Sequence, residues 1–384
     1  MKSYIAADNM ITSLGFSTSE NMQNLKAGNG GVQMHTIPEL PNGKVPLSLV
    51  NEERLEQLFS GLADGNHYTK LEKLAISSIH AASQSTEINL AGPETLFILS
   101  TTKGNIELLG SNRPEFGEER QRLWSVAHLV SRFFKNPNPP LVVSNACISG
   151  ILALLTGQRL ISENRYRHIV VTGVDIATHF VVSGFQSFKA LSPNPCKPFD
   201  SNRDGLSLGE GVGTVLLTSD AALCPNQRLV VRGGASANDA NHISGPSRDG
   251  EGLFLAIENT IRNTSHSREQ IDYISAHGTG TRYNDNMESM AFHRAGLDTV
   301  PVNSLKGYFG HTLGAAGILE TIVCFQSMRE RRLLKTKGCE DYGTAKPINV
   351  IQETQSANIT HCLKVASGFG GCNAGLLISQ DGTF

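Results

Sequence analysis

A short apolar run, a loop of small residues and an apolar helix occur twice along this chain, in the same order and roughly 160 residues apart. The first copy is Val142-Val143-Ser144-Asn145-Ala146-Cys147-Ile148-Ser149-Gly150. The second runs from Val302-Asn303-Ser304 to Gly310-His311-Thr312-Leu313-Gly314-Ala315-Ala316-Gly317. Two glycine-rich turns repeat in step with them, Gly209-Glu210-Gly211-Val212-Gly213 and Gly368-Phe369-Gly370-Gly371-Cys372. Each runs into a similar apolar end and reads as the closing hairpin of a half. Chance likeness between glycine turns is the competing reading. A duplicated unit has the same apolar face to bury twice, so the expectation is two like halves, 1–222 and 223–384, jointed at Ala221 to Gln227 with Pro225.

The class follows from what is repeated. Val- and Ile-rich runs at 141–143, 168–171, 212–217, 228–231, 271–274 and 363–365 predict strands. Helical periodicity covers 68–83, 120–134, 148–163, 253–263, 286–295 and 314–330. Mostly buried strands alternating with helices make an α/β protein. Only 18% of the residues are charged and 38 of 384 are glycine, which predicts a large interior with many close backbone approaches.

Composition also removes several functions. A formal charge of −2 gives no field for a nucleic acid. No apolar run is long enough for a membrane span, and the opening stretch is too short and polar for a secretory signal, so a soluble cytoplasmic protein is expected. Seven scattered cysteines without a C-x-x-C pair, and twelve histidines without an H-E-x-x-H pattern, give no support for disulfides or for a metal.

Four places can carry chemistry. Cys147 lies between a strand and an apolar helix, where a sharp turn exposes a side chain and the helix N-terminus favours a thiolate; a small core cysteine is the alternative. His277 stands in Ser275-Ala276-His277-Gly278-Thr279-Gly280-Thr281, a tight polar loop that an extended ligand can approach closely. His311 lies at a loop-to-helix junction with Lys306 before it and Glu320 after it, groups that tune one another's protonation or form an ordinary structural ion pair. Phe369 is flanked by glycines that free a backbone N–H to face an oxyanion and let the ring swing as a gate, unless the turn is plain and the ring a core residue. One thiol and two imidazoles suit acyl transfer to sulfur and stabilisation of an enolate, with no cofactor required.

These residues resemble the β-ketoacyl-[acyl carrier protein] synthase family, of the thiolase fold, over nearly the whole chain. The likeness rests on Asn145 to Gly150, Pro198 to Gly205 with Gly209 to Gly211, Ala276 to Thr281 with Asp285 and Glu288, Lys306 to His311 with Glu320, and Gly368 to Asn373. It implies two duplicated α/β halves packed as a layered αβαβα core. It implies an acyltransferase in which Cys147 accepts an acyl chain, and His277 and His311 polarise a malonyl thioester. Lys306 and Glu320 become a supporting ion pair, and Thr279 and Thr281 hold the pantetheine arm. Phe369 gates the acyl pocket, the N–H groups of Cys147 and Phe369 form an oxyanion hole, and Ile148 lines the pocket. The reaction implied is decarboxylative condensation giving a 3-oxoacyl-[acyl carrier protein], in fatty-acid or in polyketide or polyene biosynthesis. The implied partners are acyl carrier protein, acyl and malonyl thioesters, and a second synthase subunit in a homodimer or heterodimer.

The chain departs from the family pattern at Asn145, Ile148, Ser275, Asn284 and Cys372, none of them a reacting group, and it is shorter before residue 140. Two alternatives stand beside this reading: an inert chain-length-type partner of a heterodimer, and a thiolase-type acyltransferase in which Cys372 contributes. Because carrier proteins are acidic, a basic patch is expected at the mouth of the site, with Arg203 a candidate unless it pairs with Asp200 or Asp204.

Overall fold

The computed structural model describes all residues except 38–42, 110–112, 225–226, 240–244, 246 and 383–384, so Pro225 of the expected joint lies outside the described residues. Its framework is a sheet of ten strands: β1 (Ser3–Ile11), β2 (Thr95–Ser100), β3 (Leu141–Val143), β4 (His168–Asp175), β5 (Gly211–Thr218), β6 (Leu229–Asn238), β7 (Tyr273–Ser275), β8 (Val302–Asn303), β9 (His361–Gly368) and β10 (Cys372–Gln380). Their spatial order is β8-β7-β9-β10-β6-β1-β5-β4-β2-β3. Numbers advance by five from one half to the other. In each half the last strand runs antiparallel to its neighbours, and the strands beyond are parallel. The halves join through two residue pairs, Ser3 with Val231 and Tyr4 with Val230.

Helices fill three layers around these strands. The outer layer of the first half holds α1 (Lys70–Ser83) and α2 (Leu123–Phe133), and that of the second holds α5 (Glu251–Thr264) and α6 (Arg282–Arg294). Between the halves lie α3 (Ser149–Ser162) and α7 (Ala316–Glu330), which touch strands of both. Alternate residues of a strand serve different layers. In β4, Ile169 and Val171 join the central core with Ile151 and Ile318, while Val170 and Val174 join the outer core with Leu74 and Val126. A strand covered on both faces has no solvent side, which is why these runs read as continuous apolar stretches.

Some expectations shift. The sixth strand continues to Asn238, and α6 begins at Arg282 because the Thr281 hydroxyl caps it by accepting Asn284 N–H. The two glycine turns are not equivalent hairpins. Gly368 and Cys372 close a tight β9–β10 hairpin, whereas β4 and β5 pair in the same way but are separated by residues 176–210. That excursion carries α4 (His179–Ser187) and a two-residue strand, Leu208–Gly209, which belongs to a small separate sheet.

Two glycines set how closely the central helices approach. A Cβ on Gly150 would lie 2.8 Å from Ile318 N, and one on Gly317 would lie 2.7 Å from Ile151 N. The backbones of α3 and α7 therefore touch at their first turns, and whatever precedes each helix is brought to the same place. Those flanking residues are Cys147 and His311. Gly150→Ala should accordingly lower stability by about 1–3 kcal/mol in urea unfolding, because the obstructing atoms are backbone. Gly184→Ala, in α4 with nothing within 4 Å of the added methyl, should raise stability by up to about 1 kcal/mol.

Candidate active site

The site is built at the C-terminal ends of parallel strands, where α/β sheets commonly bind ligands. Cys147 follows β3, His277 follows β7 and His311 ends the loop after β8, while Phe369 begins the β9–β10 turn. Ala146 turns the chain with φ +43°, a left-handed conformation strained for alanine. The Ser149 hydroxyl holds this elbow by donating to Ala146 O at 2.6 Å and accepting from Asn145 N at 2.7 Å. His311 is aligned by its own backbone, which donates to Ser207 O at 2.7 Å and accepts from Gly209 N at 3.0 Å.

Donor atoms of Cys147, His277 and His311 all lie within 4.8 Å of one another. The imidazole rings meet edge to face with centroids 5.0 Å apart, and His311 Nε2 is 3.1 Å from Cys147 Sγ. The proton on each ring is placed by its other nitrogen. Leu313 N–H donates to His311 Nδ1 at 3.3 Å, so Nδ1 is the acceptor and Nε2 carries hydrogen. An ammonium has only donors, so the 3.3 Å contact from Lys306 Nζ makes His277 Nδ1 an acceptor as well. Both imidazoles thus offer an Nε2–H donor.

Behind them lies a buried chain of charge. Lys306 Nζ is 2.7 Å from Glu320 Oε1 and also donates to His277 O, and Lys364 Nζ is 2.6 Å from Glu320 Oε2. Two ammonium ions against one carboxylate leave a positive charge at the back of the site. By donor type the thiol and imidazoles would suit a soft divalent ion; this charge opposes a cation there and favours an oxygen that becomes negative. Burial, reinforced by Lys306, holds both histidines well below the usual imidazole range, which keeps them neutral. Burial also pushes the Cys147 thiol up to about 12, with Cys372 adding to the effect and Lys306 and Lys103 opposing it. That reverses the expectation of an exposed thiolate. Cys147 is 7% exposed, and desolvation of its thiol outweighs the helix N-terminus.

The other expected residues fall around this centre. The Thr279 and Thr281 hydroxyls are 2.9 Å apart beside the N-terminus of α6. Glu288 supports their loop by accepting His277 N and Gly278 N at 2.7 Å each, and burial with the nearby Asp285 raises its carboxyl to about 7. Ile148 is buried in the central core at the start of α3. Phe369 is 37% exposed, stacked on Phe185 and edge-on to Phe188, both centroids 5.6 Å away. The end of β9 closes on Cys147, since a Cβ on Gly368 would lie 3.0 Å from Cys147 N and 2.9 Å from Cys372 Sγ. Arg203 does not reach the surface. It is 4% exposed, donates to Asp200 O, Asn286 Oδ1 and Gly343 O, and lies 3.6 Å from Asp285, which replaces the expected Asp200 or Asp204 as its ion partner. Lys364 was not anticipated. Its signal was a lysine in the middle of an apolar strand.

The neutral histidines make stability depend on pH. Below pH 6.5 the unfolded chain protonates both imidazoles while the folded chain does not, so acidification withdraws up to about 1.4 kcal/mol per pH unit for each. Glu288 acts oppositely between pH 4.5 and about 7, because its folded carboxyl keeps the proton there. Urea unfolding of the protein and of a His277→Gln/His311→Gln double variant, compared between pH 5 and 6.5, should show the variant losing less stability on acidification.

Two family models match the chain: "Beta-ketoacyl synthase, N-terminal domain" over residues 111–222 and "Beta-ketoacyl synthase, C-terminal domain" over residues 229–340. The ketoacyl synthase alpha subunit of the tetracenomycin polyketide synthase from Streptomyces glaucescens is 32% identical over 256 residues, 63% of this chain and 60% of that protein. The 3-oxoacyl-[acyl-carrier-protein] synthase 2 of Coxiella burnetii is 29% identical over 266 residues, 66% of this chain and 64% of that protein. The chain thus matches somewhat less than two thirds of the length of these relatives. Among solved structures, the Xenorhabdus doucetiae ketosynthase ApeO in complex with its chain length factor ApeC aligns at a TM-score of 0.87 with 25% identity, over 99% of this chain and 98% of that one. The ishigamide ketosynthase/chain length factor aligns at 0.90 with 24% identity, over 99% of both chains. With both domain models matching in order over more than half of the sequence, and the fold of the ketosynthases throughout, the chain belongs to the beta-ketoacyl synthase family of the thiolase superfamily.

Proposed function

We propose that this protein condenses an acyl chain held on Cys147 with malonyl-[acyl carrier protein], releasing CO₂ and giving a 3-oxoacyl-[acyl carrier protein] in fatty-acid or polyketide biosynthesis. The observation that carries the proposal is the convergence of one sulfur and two Nε2–H donors in a buried site with positive charge behind it. In the first step Cys147 Sγ attacks the acyl thioester carbonyl, and its proton passes to the departing pantetheine sulfur. The thiol need not be a standing thiolate for this exchange. The N–H groups of Cys147 and Phe369 receive the oxyanion, a role supported by the close approach of Gly368 to Cys147 N.

In the second step the bond from the malonyl methylene carbon to its carboxylate breaks. The electron pair moves onto the thioester oxygen, where the two Nε2–H groups hold the enolate. Its carbon attacks the acyl-Cys147 carbonyl, the new carbon–carbon bond forms, and the sulfur leaves as a thiolate and takes up one proton from solvent water. A thiol pushed up to about 12 regains that proton readily. Neutral imidazoles are needed as donors that release the oxygen again, which matches the direction of both histidine shifts.

The same proposal assigns Thr279 and Thr281 to the pantetheine arm, Ile148 to the acyl pocket and Phe369 to the gate, and takes 1–222 and 223–384 as the two halves. Lys189, exposed next to Phe188, replaces Arg203 as the candidate contact for an acidic carrier. β3 is the end strand of the sheet with Leu141 40% exposed, which supports a second synthase chain, a copy or a related subunit, pairing there. Seven free, buried cysteines suit a cytoplasmic location, and no helix among the described residues is long and apolar enough to cross a membrane.

Incubation with acyl-carrier thioesters of several lengths should add one acyl mass to the Cys147 peptide. Cys147→Ala should abolish both acylation and elongation. His311→Ala should keep acylation but slow decarboxylation by about 100-fold or more. Condensation at the parental rate by either variant overturns the assignment, and no adduct from any donor would instead favour an inert partner subunit.

A further inference from the structure

Asp175 is a buried carboxylate that the condensation mechanism leaves unused. It ends β4 with 2% of its surface exposed. Its hydrogen-bond partners are neutral: Thr101 Oγ1 at 2.8 Å, Thr102 N at 2.9 Å, Thr102 Oγ1 at 3.0 Å and Gly314 N at 2.7 Å. A carboxylate desolvated to this degree needs several donors, and these come from two separate loops. One loop follows β2 and carries Lys103, whose ammonium acts on both Cys147 and His311. The other is the turn directly after His311.

That turn is strained. Leu313 is buried and has φ +52°, a conformation costing a leucine on the order of 1 kcal/mol or more unless its surroundings enforce it. With Thr312 at φ −91° and ψ 26°, the turn offers successive N–H groups to two different acceptors. Leu313 N–H goes to His311 Nδ1, and the next, Gly314 N–H, goes to Asp175. The Gly314 carbonyl is held from the other side by the Ser100 hydroxyl at 3.1 Å. Gly314 has no room for a side chain here, since a Cβ would lie 2.8 Å from Asp175 Oδ2. Leu313 N–H and Gly314 N–H lie on successive peptides joined at the Leu313 Cα, so if Gly314 N–H were released, the left-handed turn at Leu313 could relax, and Leu313 N–H would leave the imidazole. His311 would then be free to carry its proton on Nδ1 and present a bare Nε2 to the substrate oxygen.

We propose that Asp175 is a positioning residue that fixes His311 as the Nε2–H tautomer by clamping the Leu313–Gly314 turn. The clamp acts through two successive peptides joined at Leu313 and touches no reacting atom. Its kinetic consequence rests on the proposed condensation, while its tautomeric consequence does not. Asp175→Asn keeps the size but turns an amide NH₂ towards donors that need an acceptor.

Nitrogen NMR of isotope-labelled histidine should show His311 protonated on Nε2 alone in the parent and a mixture of tautomers in Asp175→Asn. Malonyl decarboxylation should fall at least tenfold in the variant, with Cys147 acylation within threefold of the parent. An unchanged His311 spectrum in the folded variant, or equal losses in acylation and decarboxylation, overturns the proposal. If Asp175→Asn does not fold, Thr101→Val decides, since it removes one donor and keeps the charge. A mixed tautomer and at least threefold slower decarboxylation are then expected, and parental values overturn the proposal. A parent that condenses no thioester would end the functional reading, and the spectrum would still decide the role of Asp175.

Discussion

Lys306 has no exposed surface and touches an imidazole, a backbone carbonyl and a carboxylate, and the rest of the site is arranged around it. An ammonium ion at such depth is tolerable only when its donors are all taken, and Glu320 alone would leave the pair neutral. Lys364 tips the balance to positive. Burial, with that excess adding to it, keeps protons off His277 and His311, so both rings stay neutral and offer Nε2–H donors. The same network ties together elements far apart in sequence: the loop after β7, the short helix Lys306–Phe309, α7 and β9. Losing Glu320 would leave two buried ammonium ions without their partner, a loss of about 3–5 kcal/mol in comparable pairs.

The central glycines do for shape what this network does for charge. Because α3 and α7 touch backbone to backbone, the residues before them have little latitude, and a sulfur and an imidazole 164 positions apart end at 3.1 Å. This closeness is the geometric meaning of the duplication. Cys147 and His311 occupy matching places after matching strands, so one contact between paired helices assembles both. His277 follows β7, and its counterpart after β2 is the loop of Lys103 that Asp175 holds.

Much of this was legible in the residues. Strand and helix periods gave the class, and repeated small-residue loops marked where Cys147 and His311 lie. β1 and β2 escaped notice for opposite reasons. Asp8 and Asn9 interrupt the first, and Thr95 to Ser100 is a short apolar run with no alternation because both its faces are covered. The ionisation of Cys147 was misread because helix position is local and visible in sequence, whereas desolvation comes from everything packed around the sulfur. Arg203 was misplaced for a similar reason, since its partner Asp285 is distant in the chain. Asp175 gave one weak sign, a carboxylate ending a run of buried β residues, and nothing local told which loops it would bind.

The two halves close their last strand pair in different ways, one with a three-residue glycine turn and the other through the long excursion at 176–210. Strand register is indifferent to that difference, because the β4–β5 ladder is fixed by its own pairs from His168 to Asp175. The excursion also supplies the phenylalanines that cradle Phe369 and the segment that aligns His311. Evolution therefore has a stretch in which length and side chains can vary beside the mouth without disturbing the sheet, provided Ser207 to Gly209 stay in place. Variation in this stretch can therefore reshape the surroundings of Phe369 while Cys147, His277 and His311 keep their places.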